Sequence, residues 1–160
     1  MRTDMKVVRD TPSVEGTLFS ITGRVALPFA VTADILLKQE YLKTGDVPMV
    51  CGDGEPKGHT LRGGGVRLAD IITEADVHIT EHNDSKKMYV VVSSRDGYAT
   101  VFSWQEIFNT ANGEGVLILT DSNYESMKME EGRVDLISLG DYLSGPRRVR
   151  DVAQVDIRMV

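Results

Sequence analysis

From Thr17 the chain alternates polar and apolar positions (Thr-Leu-Phe-Ser-Ile-Thr-Gly-Arg-Val), which predicts a strand over residues 17–25 ended by Pro28. Thr32 is placed to cap a helix whose apolar positions Ile35, Leu36 and Leu42 fall near helical spacing, with Gly45 as its stop. Residues 47–50 form a short buried-strand candidate running straight into Cys51-Gly52-Asp53-Gly54. A turn-rich stretch is expected from there through Gly58 to the triplet Gly63-Gly64-Gly65. Val66 to Glu74 reads as a helix with Val66, Ile71 and Ile72 inward. Lys87-Met-Tyr-Val-Val-Val-Ser93 is the clearest strand, and Arg95-Asp96-Gly97-Tyr98 is a hairpin turn whose return strand runs to Phe102. Ser103-Trp-Gln-Glu106 has the spacing of a capping box opening a short helix to Asn109, in which Trp104 and Phe108 read as core anchors. Residues 116–120, 134–138 and 149–157 read as three more strands. Strand and helix do not alternate regularly, so the expected class is α+β: one mixed domain of strands and hairpins with about three short helices.

The length of 160 residues suits one domain, which buries roughly 70% of its unfolded surface and holds a core without disulfides. Residues 1–16 are polar and aperiodic and are expected to be a loosely held arm, leaving the domain over 17–160. An apolar share of 41% excludes a disordered chain, and the absence of any run of about 18 apolar residues excludes a membrane-spanning helix. With 18 Lys and Arg against 24 Asp and Glu, the net charge is −6 and no basic stripe is present, which argues against nucleic-acid partners. The start, Met1-Arg-Thr-Asp-Met-Lys, has no apolar signal core, so the chain as written is expected in the cytoplasm; a removed leader would place it in the periplasm.

The single cysteine, Cys51, excludes an internal disulfide framework. It follows a strand and opens a Gly-Asp-Gly turn, where backbone N–H groups from Gly52 to Gly54 can converge and lower a thiol's pKa. A thiolate there suits a nucleophile or a soft-metal ligand at the floor of a concave pocket; the plain alternative is a small buried apolar residue. The two glycine clusters match no phosphate-binding pattern and read as ordinary turns. His78 and His82 have helical metal spacing in a segment that alternates instead, and zinc needs a third ligand. Gly145-Pro146-Arg147-Arg148-Val149-Arg150 sets three guanidiniums beside a rigid turn, which suits phosphate or carboxylate recognition or, equally, a salt-bridged edge balancing Asp141 and Asp151.

In order, these pieces resemble the molybdopterin-binding domain of the sulfite oxidase family. Phe19-Ser-Ile-Thr-Gly-Arg-Val25 with Pro28 is similar to the family's opening strand, and Val50-Cys51-Gly52 to the place of its metal-ligating cysteine. Gly65-Val66-Arg67-Leu68-Ala69-Asp70-Ile71-Ile72 resembles its Gly-Val helix, and Asp96-Gly97-Tyr98 with residues 102–109 its hairpin and short helix. Residues 116–119 and 131–137 resemble its late strand pair, and Gly145-x-Arg147-x-Val149-Arg150 its Gly-x-Arg-x-Val-Lys segment. The resemblance covers residues 18 to 158 and implies a small stand-alone member without the β-sandwich dimerisation domain. It implies a molybdenum–molybdopterin cofactor with Cys51 as metal ligand and Gly52 beside it, and Arg147 and Arg150 at the cofactor's phosphate end. A small oxyanion substrate and a separate redox partner would follow. Gly52-Asp53-Gly54-Glu55 departs from the family's Cys-Ala-Gly-Asn-Arg, placing acid where a basic or amide residue meets the anionic cofactor. The rival expectation is a cofactor-free descendant that binds a small anion or a protein.

Overall fold

The computed structural model describes residues 15–50, 54, 56–124 and 127–160. Cys51, Gly52 and nearly all of the expected arm lie outside the described residues. In chain order the elements are β1 (Thr17–Gly23), β2 (Phe29–Thr32), α1 (Ala33–Leu37), β3 (Leu42–Lys43), β4 (Val47–Val50), β5 (Pro56–Leu61) and β6 (Gly63–Arg67). They continue with α2 (Leu68–Glu74), β7 (Met88–Ser94), β8 (Ala99–Ser103), α3 (Trp104–Asn109), β9 (Val116–Ser122), β10 (Leu136–Ser138) and β11 (Val152–Met159). Short 3₁₀ turns fill some of the connections.

The strands form a five-stranded sheet in the order β2-β1-β11-β7-β8, a four-stranded sheet β10-β9-β6-β3, and the ribbon β4-β5. Among the described residues only β1 and β11 run parallel, registered from Ser20 opposite Gln154 to Gly23 opposite Ile157. This mixed α+β domain is the class the hydrophobic pattern predicts. The larger core includes Phe19, Ile21, Val90, Val92, Phe102, Val155 and Ile157 from the five-stranded sheet and Leu68, Ile71 and Ile72 from α2. A second core sets Met49 and Leu61 of the ribbon against Leu117, Leu119 and Ile137. Strand β9 therefore serves both cores, Val116 and Ile118 one and Leu117 and Leu119 the other. A strand covered on both faces needs an unbroken apolar run, and Val116-Leu-Ile-Leu119 supplies it.

Three expectations are corrected. The helix expected from Thr32 to Leu42 is only five residues long; Leu42 instead pairs with Gly65 in β3, and the Thr32 side chain makes no cap bond. The stretch expected to be turns is largely strand: β5 runs from Pro56 to Leu61 and the glycine triplet forms the first three residues of β6, so that α2 starts at Leu68, two residues later than Val66. A Cβ on Gly65 would stand 2.0 Å from the Ile118 carbonyl oxygen, so the close approach of β9 requires glycine there. The last strand starts at Val152 instead of Val149 because Asp151 has a φ of 55°, a left-handed conformation that interrupts extended pairing.

Ser103 caps α3, its hydroxyl accepting from the Glu106 N–H at 2.9 Å. The box is only half made, since the Glu106 carboxylate turns toward Arg147. Ser103→Ala is expected to cost about 1 kcal/mol in urea unfolding, the ordinary worth of an N-cap; no change would show that the helix start is held by packing alone. Trp104 packs against the larger core, whereas Phe108 is largely outside it, stacked on Trp104 at 4.3 Å. No helix among the described residues is long and apolar enough to cross a membrane.

Candidate functional site

Strand β4 delivers the chain to Cys51, and its last residue is held from two sides. On one edge it pairs with β5, with the register slipping between Pro48 and Val50. On the other, the Val50 N–H donates to Ser144 Oγ at 2.8 Å, and the Val50 carbonyl accepts the Gly145 N–H at 2.8 Å. The Ser144 hydroxyl in turn donates to the Pro48 carbonyl at 2.9 Å. Proline has no N–H to offer a ladder, so a side chain closes this edge where regular pairing cannot. The segment that precedes the arginines is thus hydrogen-bonded to the residue that precedes the cysteine.

Arg147 belongs to a turn rather than to a strand, as the rigid Gly145-Pro146 pair implies, and the Arg148 N–H closes that turn on the Gly145 carbonyl at 3.1 Å. All of its guanidinium N–H groups are occupied. Nε and Nη2 grip Asp141 at 2.9 and 2.8 Å, Nη1 and Nη2 grip Glu106 at 2.9 and 2.7 Å, and Nη1 also reaches the Val101 carbonyl at 3.2 Å. The cation lies 4.2 Å from the centre of the Phe102 ring. Hydrogen bonds from Arg147 hold the Glu106 and Asp141 carboxyls below their ordinary range, and those carboxylates hold the arginine firmly charged. A phosphate approaching Arg147 would have to displace a carboxylate. The side chain ties the turn to β8 and α3.

Arg148 is buried, with Nη2 3.0 Å from Asp135 Oδ2 and its cation 4.6 Å from the centre of the Tyr124 ring. The Asp135 carboxylate is wholly buried and also accepts the Asp151 N–H at 2.9 Å. Burial pushes the Asp135 carboxyl up, against the pull of that N–H and of Arg148. Arg148 Nε has no hydrogen-bond partner among the described residues. Val149 exchanges backbone bonds with Leu136 at 3.0 and 2.8 Å. Arg150, by contrast, is exposed and makes no hydrogen bond among the described residues. Arg147 thus has its donors taken up by two carboxylates, whereas Arg150 is exposed and feels Asp135 only through charge.

Of the surface carboxylates expected to balance the arginines, Asp141 does pair with Arg147, while Asp151 pairs with Arg95. Asp135 and Ser144 escaped the sequence reading. The signal for Asp135 was available: a charged residue inside the apolar run Val134-Asp-Leu-Ile137 needs a buried partner. Nothing local marked Ser144, whose bonds span |i−j| of 94 and 96. His78 and His82 belong to no group of three or more His, Cys, Asp or Glu that could hold a metal among the described residues. A shallow groove of about 380 Å³, lined by Arg67, Phe108, Thr110 and Glu114 among others, includes none of the predicted site residues.

No protein-family model matches the chain, and neither does any curated protein sequence. Among solved structures, the sulfane dehydrogenase SoxCD from Paracoccus pantotrophus is similar, with a TM-score of 0.60 and 17% identity over 89% of this chain. The match spans 38% of the dehydrogenase chain. At that identity the likeness is one of fold: the chain is a single α+β domain that shares its fold with part of that dehydrogenase.

Proposed function

We propose that this chain is the cofactor-carrying domain of a molybdopterin-dependent oxidoreductase, with Cys51 as the protein's ligand to the metal. The observation that carries this reading is the double hold on Val50, which joins the strand leading to Cys51 to the turn bearing Arg147, Arg148 and Arg150. The fold shared with a dehydrogenase supports it. A soft thiolate following a braced strand and an open guanidinium on a braced turn are the donors that a soft metal and an anionic cofactor end require. In this reading the Cys51 thiolate holds the metal, the Gly52 backbone lets the cofactor approach closely, and Arg150 pairs with its phosphate. Arg147, its own N–H groups occupied, positions the turn instead of touching the cofactor. When bound, molybdenum supplies two-electron oxygen-atom chemistry on a small oxyanion, with electrons passing to a separate redox partner.

Metal analysis of protein produced in a host that makes the cofactor tests this directly. Stoichiometric molybdenum and a thiolate-to-metal absorption band are expected, and Cys51→Ser should lose both while costing no more than about 1–2 kcal/mol of stability. Protein free of molybdenum from such a host would overturn the reading. One observation favours a second reading, a cofactor-free domain that binds a small anion or a protein: the internal satisfaction of Arg147 by Glu106 and Asp141. That reading predicts a metal-free protein in which a small anion such as sulfate binds at Arg150, and Arg150→Ala abolishes that binding.

A further inference from the structure

We infer that Asn112-Gly113 is a latent deamidation site, kept unreacted by the fold and released by local opening of the connection between α3 and β9. It is the chain's one Asn-Gly pair. Such pairs are chemically labile, because the nitrogen of a following glycine reaches the asparagine Cγ with no Cβ in the way. In the reaction the Gly113 nitrogen gives its proton to solvent base and bonds to Asn112 Cγ, and the side-chain nitrogen leaves as ammonia. Water then opens the resulting succinimide to aspartate or isoaspartate. The fold opposes each movement that this needs. Residues 111–115 form a 3₁₀ turn, and the Gly113 N–H donates to the Thr110 carbonyl at 3.2 Å. Asn112 Nδ2 donates to Glu106 Oε2 at 2.6 Å, and Asn112 Oδ1 sits 1.9 Å from the point a Cβ on Gly140 would occupy. Packing nonetheless demands the labile pair. A Cβ on Gly113 would stand 2.0 Å from the Ile107 carbonyl oxygen, and the Asn112 amide serves an acid that shares Arg147 with Asp141. Deamidation removes that donor and sets a third carboxylate beside Glu106 and Asp141, while isoaspartate also adds a backbone methylene to a turn with no room at Gly113. A chain that reacts while open recloses less well, so the modification makes a transient opening irreversible. None of this depends on a bound cofactor.

The test follows the amide-to-acid mass gain at residue 112 by peptide mass spectrometry, in the full chain kept at mildly alkaline pH in native buffer and in unfolding urea. The unfolded chain should react at least about tenfold faster than the folded one. Glu106→Ala, which frees the Asn112 amide, should raise the folded rate about five- to tenfold, the factor expected from one lost hydrogen bond. Val92→Ala, a core truncation in β7 that lowers global stability, should leave the folded rate unchanged, because the opening that matters is local. Asn112→Asp, and the deamidated fraction of aged and refolded protein, should both unfold at a urea midpoint about 0.5–1 M below the native one. Equal rates in the folded and unfolded chain, an unreactive Asn112 in urea, a native rate in Glu106→Ala, a raised rate in Val92→Ala, or a native midpoint for Asn112→Asp would overturn the inference.

Discussion

Replacing Asp135 by alanine is expected to destabilise the protein by about 4 kcal/mol and to lower Tm by roughly 10 °C. The carboxylate is wholly buried and the Arg148 side chain is 4% exposed, so the substitution strands a guanidinium in a low-dielectric site. It also leaves the Asp151 N–H without its acceptor. The opposite truncation should cost less. In Arg148→Met the carboxyl can take up a proton, which its burial already favours, whereas arginine has no neutral form within reach. The double variant Asp135→Asn with Arg148→Met should recover most of the loss, because the amide oxygen still accepts from Asp151 and no charge remains buried. Urea unfolding of the three variants measures all of this. A cost below about 1.5 kcal/mol for Asp135→Ala, or a double variant no better than it, would show that water or a rearrangement solvates Arg148.

The second large effect is expected at Arg147, and it depends on pH. Arg147→Met at neutral pH leaves Glu106 and Asp141, both three-quarters or more buried, facing each other without a cation, at a cost of about 3 kcal/mol. Lysine should recover less than half of this, since a point charge cannot grip two carboxylates in the bidentate manner of a guanidinium. The sign of the pH effect follows from the two acids. Their folded pKa values lie below the unfolded ones, so their contribution is complete above the ordinary carboxylate range and is lost as pH falls through the folded values. The stability gap between native protein and Arg147→Met should hold from pH 7 to about 5 and close on further acidification. Denaturant unfolding at several pH values checks it, and a gap unchanged at pH 3 would mean that Arg147 acts through its packing on Phe102 rather than its charge.

Local periodicity alone determined much of this protein. The strand from Met88, the Asp96-Gly97 hairpin, the apolar run from Val116 and the capped start of α3 are each specified by neighbours within a few residues, and each forms where expected. The turn at Arg147 was legible for the same reason, since proline constrains its own backbone. What only the tertiary structure decided involves partners far apart in sequence. Gly63-Gly64-Gly65 has the composition of a turn, and it is a strand in which β9 passes too close to Gly63 and Gly65 for any Cβ, while Tyr41 and the Leu42 carbonyl crowd Gly64 from the other edge. Glu106 has the spacing of a capping box, and its carboxylate goes instead to Arg147, 41 residues on, because a charged guanidinium is a stronger donor than a backbone amide. The arginine tail announced a cluster of cations but not which of them would be occupied. Arg147 and Arg148 are hydrogen-bonded to acids brought from other elements, Arg150 makes no such bond among the described residues, and that division depends on packing that no local pattern encodes.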